Sequence, residues 1–332
     1  MDSKDMRLEN PIFQTADVTE EVIIELIQSS PLQRLKGINT SGYPLPFGKN
    51  MTRDRYSHSI GVFMLLRQFG ASLEEQIAGL IHDVSHSAFS HAIDYVLDEG
   101  SGAHQHHQDN VHDEFVRKSE IADIVRRHGF SLDRLLNDEN FPLKETKLPD
   151  LCADRIDYSL NEALEYLSTP AETIQKLLDR LKVINRQWVY DNQPAARQHA
   201  EMFAELNTKH WSALTDAAVF YAVGQYLRHS LDNKYIDLHD LYTTDNAVLE
   251  KIAPHHNDDK KLALLWDRMN NKYRYVNDPD NYEAIVEVKS RAIDPLFDDR
   301  GSIRRLSDTD PKWMDFVSRE LVPKKYFLRF LE

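Results

Sequence analysis

The sequence predicts an all-helical protein, and three observations predict it. Only 11 glycines occur in 332 residues, no proline lies between Pro46 and Pro142, and apolar residues recur at spacings of three and four. Helix breakers are thus scarce where a strand-and-turn protein needs them, and the three-to-four spacing gathers side chains on one helical face. With 41% apolar residues, the chain has material for one large or two smaller cores.

The helical period runs through TEEVIIELIQSSPLQRL, then HSIGVFMLLRQFG, then ASLEEQIAGLIHD, and the proline-free stretch between Pro46 and Pro142 should be nearly all helix. Asp150 to Leu167 carries the same period, and Pro170 sits where that helix should stop. A boundary is placed there, giving residues 1–170 as a core and 171–332 as a mostly helical remainder that completes a pocket or an oligomer interface. Within the remainder, KVINRQWVYDN carries β-formers and allows one short hairpin, while Ala213 to Leu249 reads mostly as helix. The segment from Asn277 to Asp310, with NDPDNY and DDRGS, reads as acidic surface loops before a small last unit. No internal repeat is present.

Composition narrows the function classes. A net charge of −14 argues against coating nucleic acid or an anionic membrane, since such binding draws on clustered Lys and Arg. The single cysteine, Cys152, excludes an internal disulfide framework and fits a reducing compartment. The N-terminus has no apolar signal core, and no apolar run approaches the roughly 20 residues that span a bilayer. A cytoplasmic location is the expectation.

Histidine placement is the anomaly. Nine of the 15 histidines fall within the 71 residues from His58 to His128, where an even spread would place about three. His104, His106 and His107 sit in the polar stretch GSGAHQHHQDN, which reads as a solvated loop. The adjacent His82 and Asp83 differ, because they close an apolar helix and carry an imidazole and a carboxylate to the core. A divalent cation compensates such buried groups, and both are ordinary ligands for zinc, manganese or iron. Taken singly, His58 reads equally well as a capping residue, and Asp154 as a solvated acid.

In combination, RYSHSIGV (Arg55 to Val62), AGLIHDVSHSAFSH (Ala78 to His91) and DRIDY (Asp154 to Tyr158) follow one another in order. Together with Gln33-Arg34-Leu35, this series resembles the HD-domain phosphohydrolases, and among them the deoxynucleoside triphosphate triphosphohydrolase-like members. The resemblance covers residues 8–170, with echoes through 310 in RAIDPLFDDRGSIRRLSD. It implies a helical bundle around one divalent metal (manganese, iron, zinc, nickel or magnesium) held by His58, His82, Asp83 and Asp154. It further implies a catalytic pair of Asp94 and His112, the histidine opening a His-Asp-Glu element, and substrate contacts from Arg55, His86, His91, Arg155 and Tyr158.

The implied reaction is hydrolysis of a nucleotide phosphoester by a metal-activated water, with a deoxynucleoside triphosphate as the leading substrate. A histidine donates a proton near neutral pH, and cationic side chains balance phosphoryl charge. Other readings stay open: a nucleoside monophosphatase, a phosphodiesterase or an iron oxygenase with a second metal on His112 and His128, or a nucleotide-binding protein without turnover. His128 alone reads as a helix C-cap. One departure concerns the sugar, because the family's Gln-Leu pair is replaced by Asn39-Thr40-Ser41-Gly42. No stretch matches the long C-terminal extension of some members, so the resemblance carries no expectation of control by a second nucleotide. Relatives commonly assemble, which makes a homo-oligomer compatible with this reading.

Overall fold

The computed structural model describes residues 5–48, 52–97, 103, 105 and 107–331. The predicted periods become α1 (Glu21–Gln28), α2 (Ser30–Arg34), α3 (Arg55–Gln68), α4 (Leu73–Ile81) and α8 (Ala153–Tyr166). Local chemistry sets their ends. Asp54 accepts the Ser57 N–H and caps α3, Ser72 accepts the Glu75 N–H and caps α4, and Pro170 stands just before α9 (Ala171–Asp179). Between α4 and α8 lie α5 (His107–Lys118), α6 (Glu120–Arg127) and α7 (Leu132–Leu136). The later part holds α10 (Gln193–Leu206), α11 (Leu214–Asp232), α12 (Asp245–Ile252), α13 (Lys260–Met269) and α14 (Pro311–Glu320).

The expectation of an all-helical chain needs correction. Residues 6–10 and 14–18 pair as an antiparallel hairpin, β1 (Met6–Asn10) with β2 (Gln14–Val18). The hairpin allowed at KVINRQWVYDN forms, as β3 (Leu181–Ile184) and β4 (Gln187–Tyr190), with Asn185 and Arg186 both at positive φ as a tight two-residue turn requires. It does not stand alone, because β4 runs parallel to β7 (Leu296–Asp299), which pairs with β8 (Ser302–Arg305). A third sheet orders β5 (Arg274–Asn277), β9 (Lys324–Leu331) and β6 (Ala284–Val288). The acidic segment read as loops thus contributes three strands: β6 and β7 find β9 and β4 far away in sequence, and β8 folds back on β7.

Helix also gives way after α4. The chain turns at His82 and continues through a 3-10 helix at Ser90–Tyr95, with Phe89 and Ser90 at positive φ. Tertiary partners replace the helical ladder here. The Phe89 N–H donates to Asp245 Oδ1 (2.7 Å), the Ala88 N–H to the Leu241 carbonyl (2.7 Å), and Ser90 Oγ to the Asn39 carbonyl (2.5 Å).

Two apolar cores result. One runs from Leu8 to Val317 and packs α1, α3, α4, α6, α8 and α10. The other joins Phe89 and Ile93 to α11, α12, α13 and the C-terminal sheet. Each draws on both sides of residue 170. Among the described residues, no helix is long and apolar enough to cross a membrane.

Candidate active site

Three helix ends converge on one point. The first turns of α3 carry Arg55 and His58, the turn after α4 carries His82 and Asp83, and the start of α8 carries Asp154, Asp157 and Tyr158. His58 Nε2 lies 2.9 Å from Asp154 Oδ1 and 3.2 Å from His82 Nε2. Asp83 closes the group, with Oδ1 3.4 Å from His82 Nε2 and Oδ2 3.7 Å from His58 Nε2.

The opposite ring nitrogens decide what this cluster can hold. His58 Nδ1 is 2.6 Å from Asp157 Oδ2, and His82 Nδ1 is 2.7 Å from the Gly79 carbonyl. A carbonyl and a carboxylate only accept, so both Nδ1 atoms donate and both Nε2 lone pairs turn toward each other and two carboxylates. That arrangement asks for a cation. Burial opposes charge on His58, yet Asp154 and Asp157 outweigh it and raise the ring to about 9, so the cluster favours positive charge at this point. Two imidazoles with carboxylates suit a divalent transition metal, and a carboxylate behind a ligating histidine is the usual outer support. Asp157 is fully buried and also takes Arg53 (2.7 Å) and Asn161 (3.1 Å). Gly61 on α3 makes room for it, since a Cβ there would lie 1.9 Å from Asp157 Oδ1.

The cluster opens into a cavity of about 740 Å³, large enough for a nucleotide. His86 and His91 line one side, their rings edge to face at 5.2 Å. Burial pushes His86 down to about 3 and His91 to about 4, which leaves both as neutral N–H donors near pH 7. Tyr158, His210, Trp211 and Phe220 form an aromatic side. After α10 the chain makes one turn of π-helix at Asn207–Trp211, which carries His210 and Trp211 to the wall. Trp211 Nε1 donates to Glu162 Oε2 (2.6 Å), and its ring meets Tyr158 edge-on at 5.2 Å. The buried Asn207 ties this turn to the segment after β6, accepting the Arg291 N–H (2.8 Å) and donating to Ser290 Oγ (3.0 Å). That segment brings Lys289 and Arg291 to the cavity.

The HD domain family matches residues 55–162, the stretch that carries all four candidate ligands. The uncharacterized protein YdhJ of Bacillus subtilis is 34% identical over 275 residues, which cover 82% of this chain and 83% of that one. The chain belongs to the HD-domain phosphohydrolases. A fungal relative, the metal-dependent phosphohydrolase cns2 of Cordyceps militaris, is 29% identical over 320 residues, covering 92% of this chain and 89% of its own. A more distant one, the deoxynucleoside triphosphate triphosphohydrolase SAMHD1 homolog of Dictyostelium discoideum, is 22% identical and covers 89% of this chain and 61% of its own. The protein is accordingly an HD-type hydrolase.

Against the HD pattern, the structure brings His58, His82, Asp83 and Asp154 together, with His86, His91, Arg155 and Tyr158 on the cavity wall. Arg55 is also there but fully engaged, its guanidinium reaching Asp83 Oδ2 (2.8 Å), Ser90 Oγ (3.0 Å) and the Thr40 carbonyl (3.2 Å). Arg155 is similarly held by Glu145 (2.9 Å), Cys152 Sγ (3.0 Å) and the Asp150 carbonyl (3.2 Å).

The expected Asp94–His112 pair is not formed. His112 does not line the cavity, its Nδ1 lies 3.0 Å from Ser85 Oγ, and burial lowers its ring to about 4. Asp94 instead faces His91 Nδ1 (3.8 Å) and accepts the His107 N–H (3.1 Å). The physical reason is register: α5 begins at His107, so that residue, buried and bonded to Tyr242 Oη (3.2 Å), meets Asp94, while His112 lies more than a turn further on. His107 therefore departs from the solvated-loop reading, whereas His104 and His106 lie outside the described residues. His128 pairs with Glu25 (3.3 Å), and neither it nor His112 joins the donor cluster. Asp157, Arg53, Lys289, Arg291 and Trp211 were not singled out in the sequence. Asp157 alone had a signal, standing three residues after Asp154 at the same helix start.

Proposed function

We propose that this HD pocket hydrolyses a phosphoester of a nucleotide, using one divalent metal held by His58, His82, Asp83 and Asp154. The two facing Nε2 atoms at 3.2 Å carry this reading, because their hydrogens are fixed on the far side of each ring. A bound divalent ion would supply Lewis acidity toward a phosphoryl oxygen and a water. The chain's own residues do the rest. Asp157 and the Gly79 carbonyl hold the two imidazoles in the ligating tautomer. His86, whose Nε2 lies 3.3 Å from Asp83 Oδ1, steadies that carboxylate. His91, with Nδ1 3.8 Å from Asp94 Oδ2, stands beside His86 on the cavity wall.

A nucleotide is supported by the aromatic wall of Tyr158, Trp211 and Phe220, which fits a planar base, and by the nucleotide substrate that the Dictyostelium relative is named for. The deciding experiment is metal analysis of the purified protein with a screen of nucleotides and generic phosphoesters, following phosphate, triphosphate and nucleoside release. A metal-loaded protein that turns over nothing, with several divalent ions supplied, would mark a binding protein instead.

A further inference from the structure

The cavity that faces the metal cluster is acidic for a site that takes a phosphoester. Eight carboxylates line it against five Lys and Arg side chains. Two of those cations are already matched, Arg55 by Asp83 (2.8 Å) and Arg155 by Glu145 (2.9 Å). Lys147, Lys289 and Arg291 are left for a ligand. Among the described residues no ion pair engages Lys289 or Arg291, and the Arg291 guanidinium bonds only the neutral Gln105 amide (2.9 Å) and the Lys289 carbonyl (3.5 Å). Asp109 and Glu139 look into the same space, and among the described residues no ion pair engages them. Desolvation raises the Asp109 carboxyl to about 6 despite Lys289, and the nearby Glu145, Asp83 and Asp138 push the same way. The potential on that side is negative.

We propose that the pocket selects a phosphate monoester and rejects polyphosphates, with Lys289 and Arg291 balancing the single phosphoryl group while Asp109 and Glu139 repel any further ones. With a divalent ion in the cluster and the matched pairs set aside, the walls come near charge balance only when Lys147, Lys289 and Arg291 are counted, so the pocket holds no positive surplus. A monoester adds about two negative charges, which lie against Lys289 and Arg291. Each additional phosphoryl group brings charge that only the exposed Lys147 is left to meet, beside carboxylates that a partly desolvated site screens poorly. The aromatic side can hold a base whichever ester is bound, so the discrimination lies in phosphate number. This inference rests on the nucleotide phosphoester reading above and narrows it.

The test compares kcat/KM for one nucleoside as its mono-, di- and triphosphate, with divalent metal in excess of nucleotide, in the wild type and in the Asp109→Asn, Glu139→Gln double variant. The expected result is a monophosphate preference of roughly tenfold or more that narrows by roughly tenfold in the double variant. Turnover of the triphosphate as good as or better than the monophosphate overturns the inference and leaves the nucleotide reading standing. An unchanged preference in the variant overturns the charge argument. Turnover of no nucleotide removes the nucleotide reading and the inference together.

Discussion

Asp157 touches neither cavity nor substrate, yet it sets which nitrogen of His58 faces the metal position. Replacing it with asparagine keeps the shape but lets an amide N–H face the ring, so the ligating tautomer loses its support. Asp157→Asn is expected to weaken metal binding about 10- to 100-fold, read by titration against a competing chelator; unchanged affinity would deny Asp157 this role. Gly61→Ala should act in the same direction although alanine favours helix, because the new methyl falls 1.9 Å from Asp157 Oδ1, and that carboxylate is pinned by three partners. At this scale the sequence reveals the groups that touch the cluster, since His58, His82, Asp83 and Asp154 stand in recognisable words. Residues that act through others stay hidden, because Asp157 and Asn207 become meaningful only when a second segment packs against them.

Between elements, the joint of α8, α10 and β4 contains a pH-sensitive contact. His199 on α10 is fully buried between Ser159 Oγ (2.8 Å) and Tyr190 Oη (2.8 Å), and burial pushes its ring down to about 3. The unfolded ring takes a proton near 6.5, and the folded one refuses it until about 3, so stability from the neutral ring is complete above 6.5 and falls on acidification. The slope is about 1.4 kcal/mol per pH unit within that window. The stability gap in urea unfolding between wild type and His199→Gln should therefore shrink by about that much per unit from about pH 6.5 downward; a constant gap would show that His199 does not titrate as buried. Elements with a local period were legible, as α3, α4 and α8 attest. β7 was not, because its identity as a strand depends on parallel pairing of Leu296 and Phe297 with Val189 and Tyr190 more than 100 residues earlier.

Across the whole molecule, ligand binding and folding share one framework, because the helices that carry the candidate ligands also pack the larger core. Divalent metal at a hundredfold excess over its Kd should stabilise the protein by about 2.7 kcal/mol, seen as a rise in melting temperature that a chelator reverses. Asp83→Ala should abolish that rise. Its own baseline will also drop, since Arg55 loses its buried partner, so the metal-induced shift rather than the absolute Tm is the measure. A full shift in the variant would place the ion elsewhere. The sequence shows the bundle and the HD series, but not that residues beyond 280 return to finish the cavity, because nothing in KSRAID marks a binding segment until Asn207 anchors it.

Lys289 and Arg291 enter the cavity from a strand end, whereas the proposed metal ligands sit on α3, in the turn after α4 and on α8. On the proposed reading, catalysis and choice of ester lie on separate stretches of chain. A lineage can exchange the few residues after β6 and acquire a new substrate while the hydrolytic centre stays as it is, and a laboratory library confined to that segment can do the same.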